Sequence, residues 1–196
     1  MSTRVCLWAG DGSVVPLHRE RWLGPATVEE GAVLDRAVAP VLDVGCGPGR
    51  HLLALAARGI CALGVDVASN AVRIASTRGA LVLHRSIFDP LPGEGRWASA
   101  LLMDGNIGIG GDPEALLRRL RQLLRRGGRV LVEVEEPGTP TGPVWLRVHD
   151  GTRLGPSFPW ARVSADRLSE LARRTGFHTI EQWNAARRWF AALERR

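Results

Sequence analysis

The stretch Val41-Leu42-Asp43-Val44-Gly45-Cys46-Gly47-Pro48-Gly49-Arg50-His51 constrains the fold more than any other part of the chain. An apolar run carries an acid near its end. Three glycines follow at alternate positions, and a helical pattern then begins. Strand, glycine turn and helix in that order make the nucleotide-cradling unit of a doubly wound α/β sheet. Glycine serves such a turn twice over: it takes positive φ without strain, and its missing side chain lets a ligand approach the backbone.

Asp43 narrows the choice of ligand. A dinucleotide would bring a diphosphate to this turn, beside a carboxylate, and like charges repel more strongly as water is excluded. A ligand with an ammonium group is favoured there instead. S-adenosylmethionine (SAM) has an α-amino group, a sulfonium cation and no phosphate. The run Asp43-x-Gly45-x-Gly47-x-Gly49 resembles the first motif of class I SAM-dependent methyltransferases, and the resemblance extends from about Val41 to Glu136. It implies a Rossmann-like methyltransferase fold, a doubly wound, mostly parallel seven-stranded sheet whose final strand is antiparallel.

The pattern along the chain supplies enough strands for that sheet. Residues 1–17 are mixed, with Gly10-Asp11-Gly12 as a turn signal. His18 to Val38 reads as helical with a break at Gly24-Pro25, and the family resemblance implies that such a segment covers the cofactor pocket. Val41–Val44 is the first core strand and Arg50 to Arg58 a helix stopped by Gly59. Cys61–Asp66 is the second strand, and Ser69 is the expected cap of a helix reaching Arg78. Leu81–His84 and Trp97–Met103 are the third and fourth strands. Pro90, Pro92, Gly93 and Gly95 fill the space between them, so the helix expected there is missing or very short.

Asp112-Pro113-Glu114 starts a helix with an acid cap and a proline in the first position. Its leucine stripe runs from Leu116 to Leu124, and Gly127-Gly128 is the expected stop. Arg125 and Arg126 would then complement the helix dipole. Arg129–Glu135 is the fifth strand. Val144 to Trp160 reads as a small inserted β-hairpin turning at Asp150-Gly151. Ser164 is the expected cap of a helix running to Thr175 with Gly176 as its stop, and Phe177–Trp183 and Arg188–Leu193 are a terminal strand pair. One domain over 1–196 is expected, made of an N-terminal segment (1–40), a cofactor-binding core (41–136), an inserted hairpin (137–163) and a C-terminal helix with two strands (164–196).

Several side chains are candidates for holding the cofactor. The resemblance puts Asp43 at the ammonium end, directly or through water, with Gly45, Cys46, Gly47 and Gly49 presenting backbone. Cys46 sits in a tight turn, where a small packing residue fits better than a nucleophile. Asp66 ends the second strand, and its carboxylate has two acceptor oxygens for two ribose hydroxyls. Val67 would lie against adenine. Ile87, Phe88 and Asp89 match the family's adenine-facing loop, with Ser86 and Ile87 standing where a glycine-acid pair is usual. Asp104 and Gly105 follow the fourth strand, and the family places the transferred methyl beside this loop.

Methyl transfer from a sulfonium is an in-line displacement with a neutral leaving group, so alignment does most of the work. A base matters only where the acceptor loses a proton. His149, Asp104 and Glu136 are the candidates, and Trp145 and Trp160 are candidates for walling an apolar acceptor.

The acceptor class is read mostly from what is missing. The position after the fourth strand reads Asp104-Gly105-Asn106-Ile107, where amino-directed nucleic-acid methyltransferases carry Asn/Asp-Pro-Pro-aromatic. None of Cys6, Cys46 and Cys61 stands where cytosine-carbon methyltransferases need a nucleophile, and none forms a CxxC pair that would suggest zinc. These features favour a small-molecule acceptor and no metal. The net charge is +6 and all 26 basic residues are arginine. The arginines are spread along the chain, as a compositional bias would spread them, so nucleic acid is a secondary reading as a partner. An RNA methyltransferase, an NAD oxidoreductase and a non-catalytic SAM-binding protein are the competing functions. No apolar run is long enough to span a membrane and the first residues hold no signal-peptide core, so the cytoplasm is the expected location. A homodimer stays open.

Overall fold

The computed structural model describes residues 5–10, 12–17 and 19–196. Residues 1–4, Asp11 of the expected turn and His18 of the expected helix lie outside them. A hairpin of β1 (Cys6–Ala9) and β2 (Val14–Pro16) leads into two short helices, α1 (Arg19–Leu23) and α2 (Val28–Leu34). The glycine stretch joins β3 (Val41–Val44) to α3 (Arg50–Ala56). After it come β4 (Ala62–Asp66), α4 (Ser69–Thr77) and β5 (Val82–His84). β6 (Trp97–Leu102) is followed by a 3-10 segment over Asn106–Gly111, α5 (Pro113–Leu123) and β7 (Leu124–Val134). A second hairpin, β8 (Gly142–His149) and β9 (Leu154–Arg162), precedes α6 (Ala165–Arg174), β10 (Phe177–Ala185) and β11 (Arg188–Arg195).

The core sheet has seven strands in the order β10-β11-β7-β6-β3-β4-β5. β3 pairs in parallel with β4 and β6, and β11 is antiparallel to both its neighbours. The strand order reverses at β3, and ligands of open α/β sheets gather at the carboxyl ends of the strands beside such a point. Every residue of β3 is buried, as expected of a parallel strand covered on both faces.

Alternation sorts those residues. Leu42 and Val44 pack with Leu116 and Leu120 of α5 and Leu168 of α6. Val41 packs with Val33 and Leu34 of α2 and Leu55 of α3. Asp43 shares the parity of Val41, so its carboxylate points into the layer formed by α2 and α3. That single fact of register organises the site.

Three expectations need correction. The helix begun by Asp112 ends at Leu123 and does not run on to Gly127-Gly128. Leu124 is already extended and fully buried, paired with Trp97; the register then slips, and pairing resumes at Ser99 with Arg129. Burying Leu124 in the strand outweighs one more helical turn. Arg125 and Arg126 therefore belong to β7 and do not sit on the helix dipole. Ser69 is the first residue of α4 and not its cap, because Asp66 Oδ1 accepts the Ala68 N–H at 2.8 Å and turns the chain one residue earlier. The mixed N-terminal stretch is a hairpin. It joins the expected inserted hairpin, here β8–β9, in a separate four-stranded sheet ordered β2-β1-β8-β9. No helix lies between β5 and β6, in agreement with the run of prolines and glycines there. Among the described residues no helix is long and apolar enough to cross a membrane.

Candidate active site

The glycine turn closes on itself. The N–H groups of Gly45 and Cys46 both donate to the Val65 carbonyl, at 2.9 and 3.2 Å, and that of Gly49 donates to the Cys46 carbonyl at 3.0 Å. Gly47 N–H donates to Asp66 Oδ2 at 2.8 Å. The turn's amides are thus spent inside the fold. A diphosphate-binding turn must aim such amides at its ligand. Gly45 has φ +68°, and a Cβ there would lie 2.6 Å from Asn106 Nδ2. Asn106 uses that amide to donate to the carbonyls of Val44 and Gly45, at 2.8 and 3.0 Å. The loop after β6 is therefore bolted to the turn after β3, a connection that no local sequence signal announces.

Asp66 accepts one backbone N–H on each carboxylate oxygen, from Gly47 and Ala68, both at 2.8 Å. Each oxygen keeps acceptor capacity for a further donor. Beyond it, Val67 is 68% exposed and Phe88 44% exposed, both large apolar side chains at the carboxyl edge of the sheet. Ile87 is buried in the core, so only its backbone can meet a ligand. Asp89 Oδ2 accepts the Ser86 N–H at 3.0 Å, which shapes the loop between them. Cys46 is buried. Burial first, and then the charges of Asp43 and Asp66, push its thiol far above the ordinary range. A Cβ on Gly64 would come within 2.6 Å of its sulfur. Cys46 is a packing residue. An aromatic disulfide reagent should react promptly with exposed Cys61 in the native protein and with Cys46 only as the protein unfolds. Prompt loss of the Cys46 thiol would show that the turn opens.

Behind the turn lies a cluster of charges. Glu30 of α2 is completely buried. Its Oε1 accepts from Arg21 at 2.9 Å, Arg50 at 2.8 Å and Arg188 at 3.0 Å, and its Oε2 from Arg50 Nε at 3.1 Å and the Thr27 N–H at 3.0 Å. Despite its burial, the neighbouring His51 ring and the bonds from Arg50 and Arg21 hold this carboxyl well below the usual range. Asp104 takes φ 55°, left-handed for a residue with a side chain. Arg50 Nη2 donates to both its oxygens, at 2.9 and 2.7 Å, and Arg21 reaches Oδ1 at 3.2 Å. Its N–H donates to Glu133 Oε2 at 2.8 Å, and Arg188 grips Glu133 with two bonds of 2.8 and 2.7 Å. Asp104 is committed to guanidinium groups and is not placed as a free base. Asp43 is 1% exposed, and its Oδ2 has no hydrogen-bond partner among the described residues.

The remaining candidates lie outside the charge cluster. Glu136 is exposed just beyond β7, where its carbonyl accepts the Thr139 N–H. His149 ends β8 next to the hairpin turn. Its Nδ1 accepts the Gly151 N–H at 3.2 Å, and its ring lies 6.4 Å from that of Trp8. The other end of the hairpin is the one that touches the site: a Cβ on Gly108 would lie 2.5 Å from Trp160 Nε1. His149 is five residues along β8 from Val144, the partner of Trp160, roughly 17 Å away at about 3.4 Å per residue. Trp145 sits one residue out of step with Val144, so it faces away from Trp160 and is largely exposed. Only Trp160 of the two tryptophans adjoins the loop after β6.

Residues 41–128, from β3 into the start of β7, match the family model described as a methyltransferase domain. That stretch is a methyltransferase domain, and the chain has the Rossmann-like fold of class I SAM-dependent methyltransferases. A SAM-dependent methyltransferase from Bacteroides fragilis, solved with S-adenosylhomocysteine, shares this fold with a TM-score of 0.83 at 22% identity, over 98% of this chain and 88% of that one. The sugar N-methyltransferase KedS8 of Streptoalloteichus superposes with a TM-score of 0.62 at 18% identity, over 85% and 84%. An uncharacterized protein of Mycobacterium tuberculosis is 32% identical over 143 residues, 72% of this chain and 47% of that protein. The chain thus spans about half the length of the curated relatives it matches. The glycine turn and the acid at the end of β4 were legible in the sequence. The charge cluster was not, apart from the capping-box spacing Thr27-x-x-Glu30, which marks the start of α2 without revealing what its glutamate binds.

Proposed function

We propose that this methyltransferase binds SAM at the carboxyl ends of β3, β4 and β5 and transfers its methyl to an oxygen, nitrogen or carbon nucleophile of a small molecule. The observation that carries the cofactor reading is the self-satisfied turn: with the amides of Gly45, Cys46, Gly47 and Gly49 all donating within the fold, it offers a diphosphate little. The unpartnered Asp43 carboxylate behind it suits a cation. In this reading Asp66 holds the ribose hydroxyls, Val67, Phe88 and the 86–89 loop flank adenine, and the Asp104 carbonyl and Asp43 meet the amino acid tail. When bound, the cofactor supplies a methyl on a group that departs as a neutral thioether. The protein's own part is alignment: Asn106 fixes the loop after β6 against the turn, and the arginine–carboxylate cluster fixes Asp104. With Asp104 committed and His149 at the far end of its hairpin, Glu136 is the candidate that stays available as a base.

The arginines support a small acceptor over RNA. On α5, Arg118 pairs with Glu114 and Arg119 with Glu94, while Arg174 of α6 also reaches Glu114. These carboxylates blunt the face a phosphate backbone would need. Titration calorimetry tests the cofactor: SAM and S-adenosylhomocysteine should bind and NAD should not. Tighter binding of NAD would overturn the proposal.

A further inference from the structure

His51, in the first turn of α3, stands between two buried carboxylates, Asp43 of β3 and Glu30 of α2. Its Nδ1 is 3.9 Å from Asp43 Oδ2 and its Nε2 is 3.5 Å from Glu30 Oε2. Asp43 Oδ2 and His51 Nε2 are both buried without a hydrogen-bond partner among the described residues. The neighbouring charges do not balance. Glu30, Asp104 and Glu133 are matched by Arg21, Arg50 and Arg188, which bond to them directly. Asp43 is left over. The ionisable groups acting on it are His51 and Arg50 from α3, Asp104 from the loop after β6 and Asp66 from the end of β4. His51 in turn meets Glu30 from α2. A buried carboxylate with no matched cation needs either a proton or an incoming positive charge.

We propose that His51 and Asp43 share one proton, which the ammonium group of the cofactor displaces to solvent, making His51 the residue that positions and charges the turn acid. The inference rests on the SAM reading above. Without the cation the pair carries one proton between imidazole and carboxyl. With it, the pair is left as neutral imidazole and carboxylate, and the proton passes to buffer. Burial pushes the Asp43 carboxyl up to about 6, offset in part by His51 and Arg50, so the exchange falls in an accessible range. Protons bound more tightly without ligand oppose binding, so affinity must fall as pH drops below that value.

The test is calorimetry from pH 5 to 8 in buffers of different ionisation enthalpy. SAM and S-adenosylhomocysteine, which both carry the amine, should release close to one proton near pH 5.5 and almost none at pH 8. Their affinity should fall about tenfold per pH unit below 6. 5′-Methylthioadenosine, the same nucleoside thioether without the amino acid tail, should bind with no proton release and no such slope. In His51→Asn the midpoint for SAM should move to higher pH while 5′-methylthioadenosine binds as before. SAM binding without proton release near pH 5.5, or an unchanged midpoint in His51→Asn, would overturn the proposal. If SAM fails to bind at any pH while NAD binds, the cofactor reading falls and this inference with it. A ligand-free measurement keeps the two failures distinct: the His51 imidazole resonances should titrate at a different midpoint in Asp43→Asn than in the wild type, and an unmoved midpoint refutes the shared proton.

Discussion

Replacing Glu30 with glutamine is expected to lower the melting temperature by roughly 6–20 °C. The carboxylate is fully buried and binds Arg21, Arg50 and Arg188 directly. Removing one member of a buried ion cluster leaves the others uncompensated, which costs about 3–5 kcal/mol. In a chain of this size each kcal/mol moves the midpoint by about 2–4 °C. Glutamine keeps the shape and one acceptor oxygen, so the loss reports charge and not a cavity. The exposed pair Arg36–Glu181 provides the contrast: Glu181→Gln should cost less than about 1 kcal/mol. The acid limb of the stability curve carries the same signature. Glu30 titrates below its ordinary value in the fold, so its contribution is complete above the unfolded value near pH 4 and is lost as pH falls beneath it. Glu30→Gln should flatten that limb. Equal melting temperatures for Glu30→Gln and Glu181→Gln would show that the cluster does not hold α2 to the sheet.

What the sequence revealed of this arrangement was whatever depends on local pattern. Val41–Val44 followed by alternating glycines could only be a strand and its turn. Asp112-Pro113-Glu114 fixes the start of α5 because cap, proline and first-turn acid act within one turn of chain. The end of α5 escaped because a tertiary contact decides it: Leu124 is worth more beside Trp97 than in another helical turn. β1 escaped for a similar reason. Cys6–Ala9 lacks clean alternation, and its partner β8 lies more than 130 residues away. The candidate site divides along the same line. Asp66 was visible because an acid at a strand end after a glycine turn has a local meaning. Asn106, His51 and Arg188 have none, and Glu30 has only its capping-box spacing, since each acts on residues remote in sequence. Asp104 was visible but misjudged: its place after β6 was right, and its availability as a base depended on three arginines that only folding brings to it.

Asp66→Ala should weaken SAM and S-adenosylhomocysteine binding roughly 100- to 20,000-fold while leaving the melting temperature within a few degrees. An ionised acceptor contributes about 1.5–3 kcal/mol per hydrogen bond, and two ribose hydroxyls would use one free lone pair on each oxygen. The structure adds a second reason. Asp66 also accepts the N–H of Gly47 and of Ala68, so alanine frees two turn amides at the place where the nucleoside must lie. The two effects separate with Asp66→Asn. The amide's oxygen still accepts one bond, but its NH2 cannot accept from a second donor, and it would face a turn N–H with a donor of its own. Asn should therefore recover little of the affinity. An S-adenosylhomocysteine analogue lacking both ribose hydroxyls should bind wild type and Asp66→Ala within a few-fold of each other if the carboxylate acts through those hydroxyls. If the analogue loses as much affinity to the mutation as the parent does, Asp66 serves the turn and not the ribose. If neither ligand notices the mutation, the nucleoside lies elsewhere, and the placement of adenine against Val67 and Phe88 falls with it.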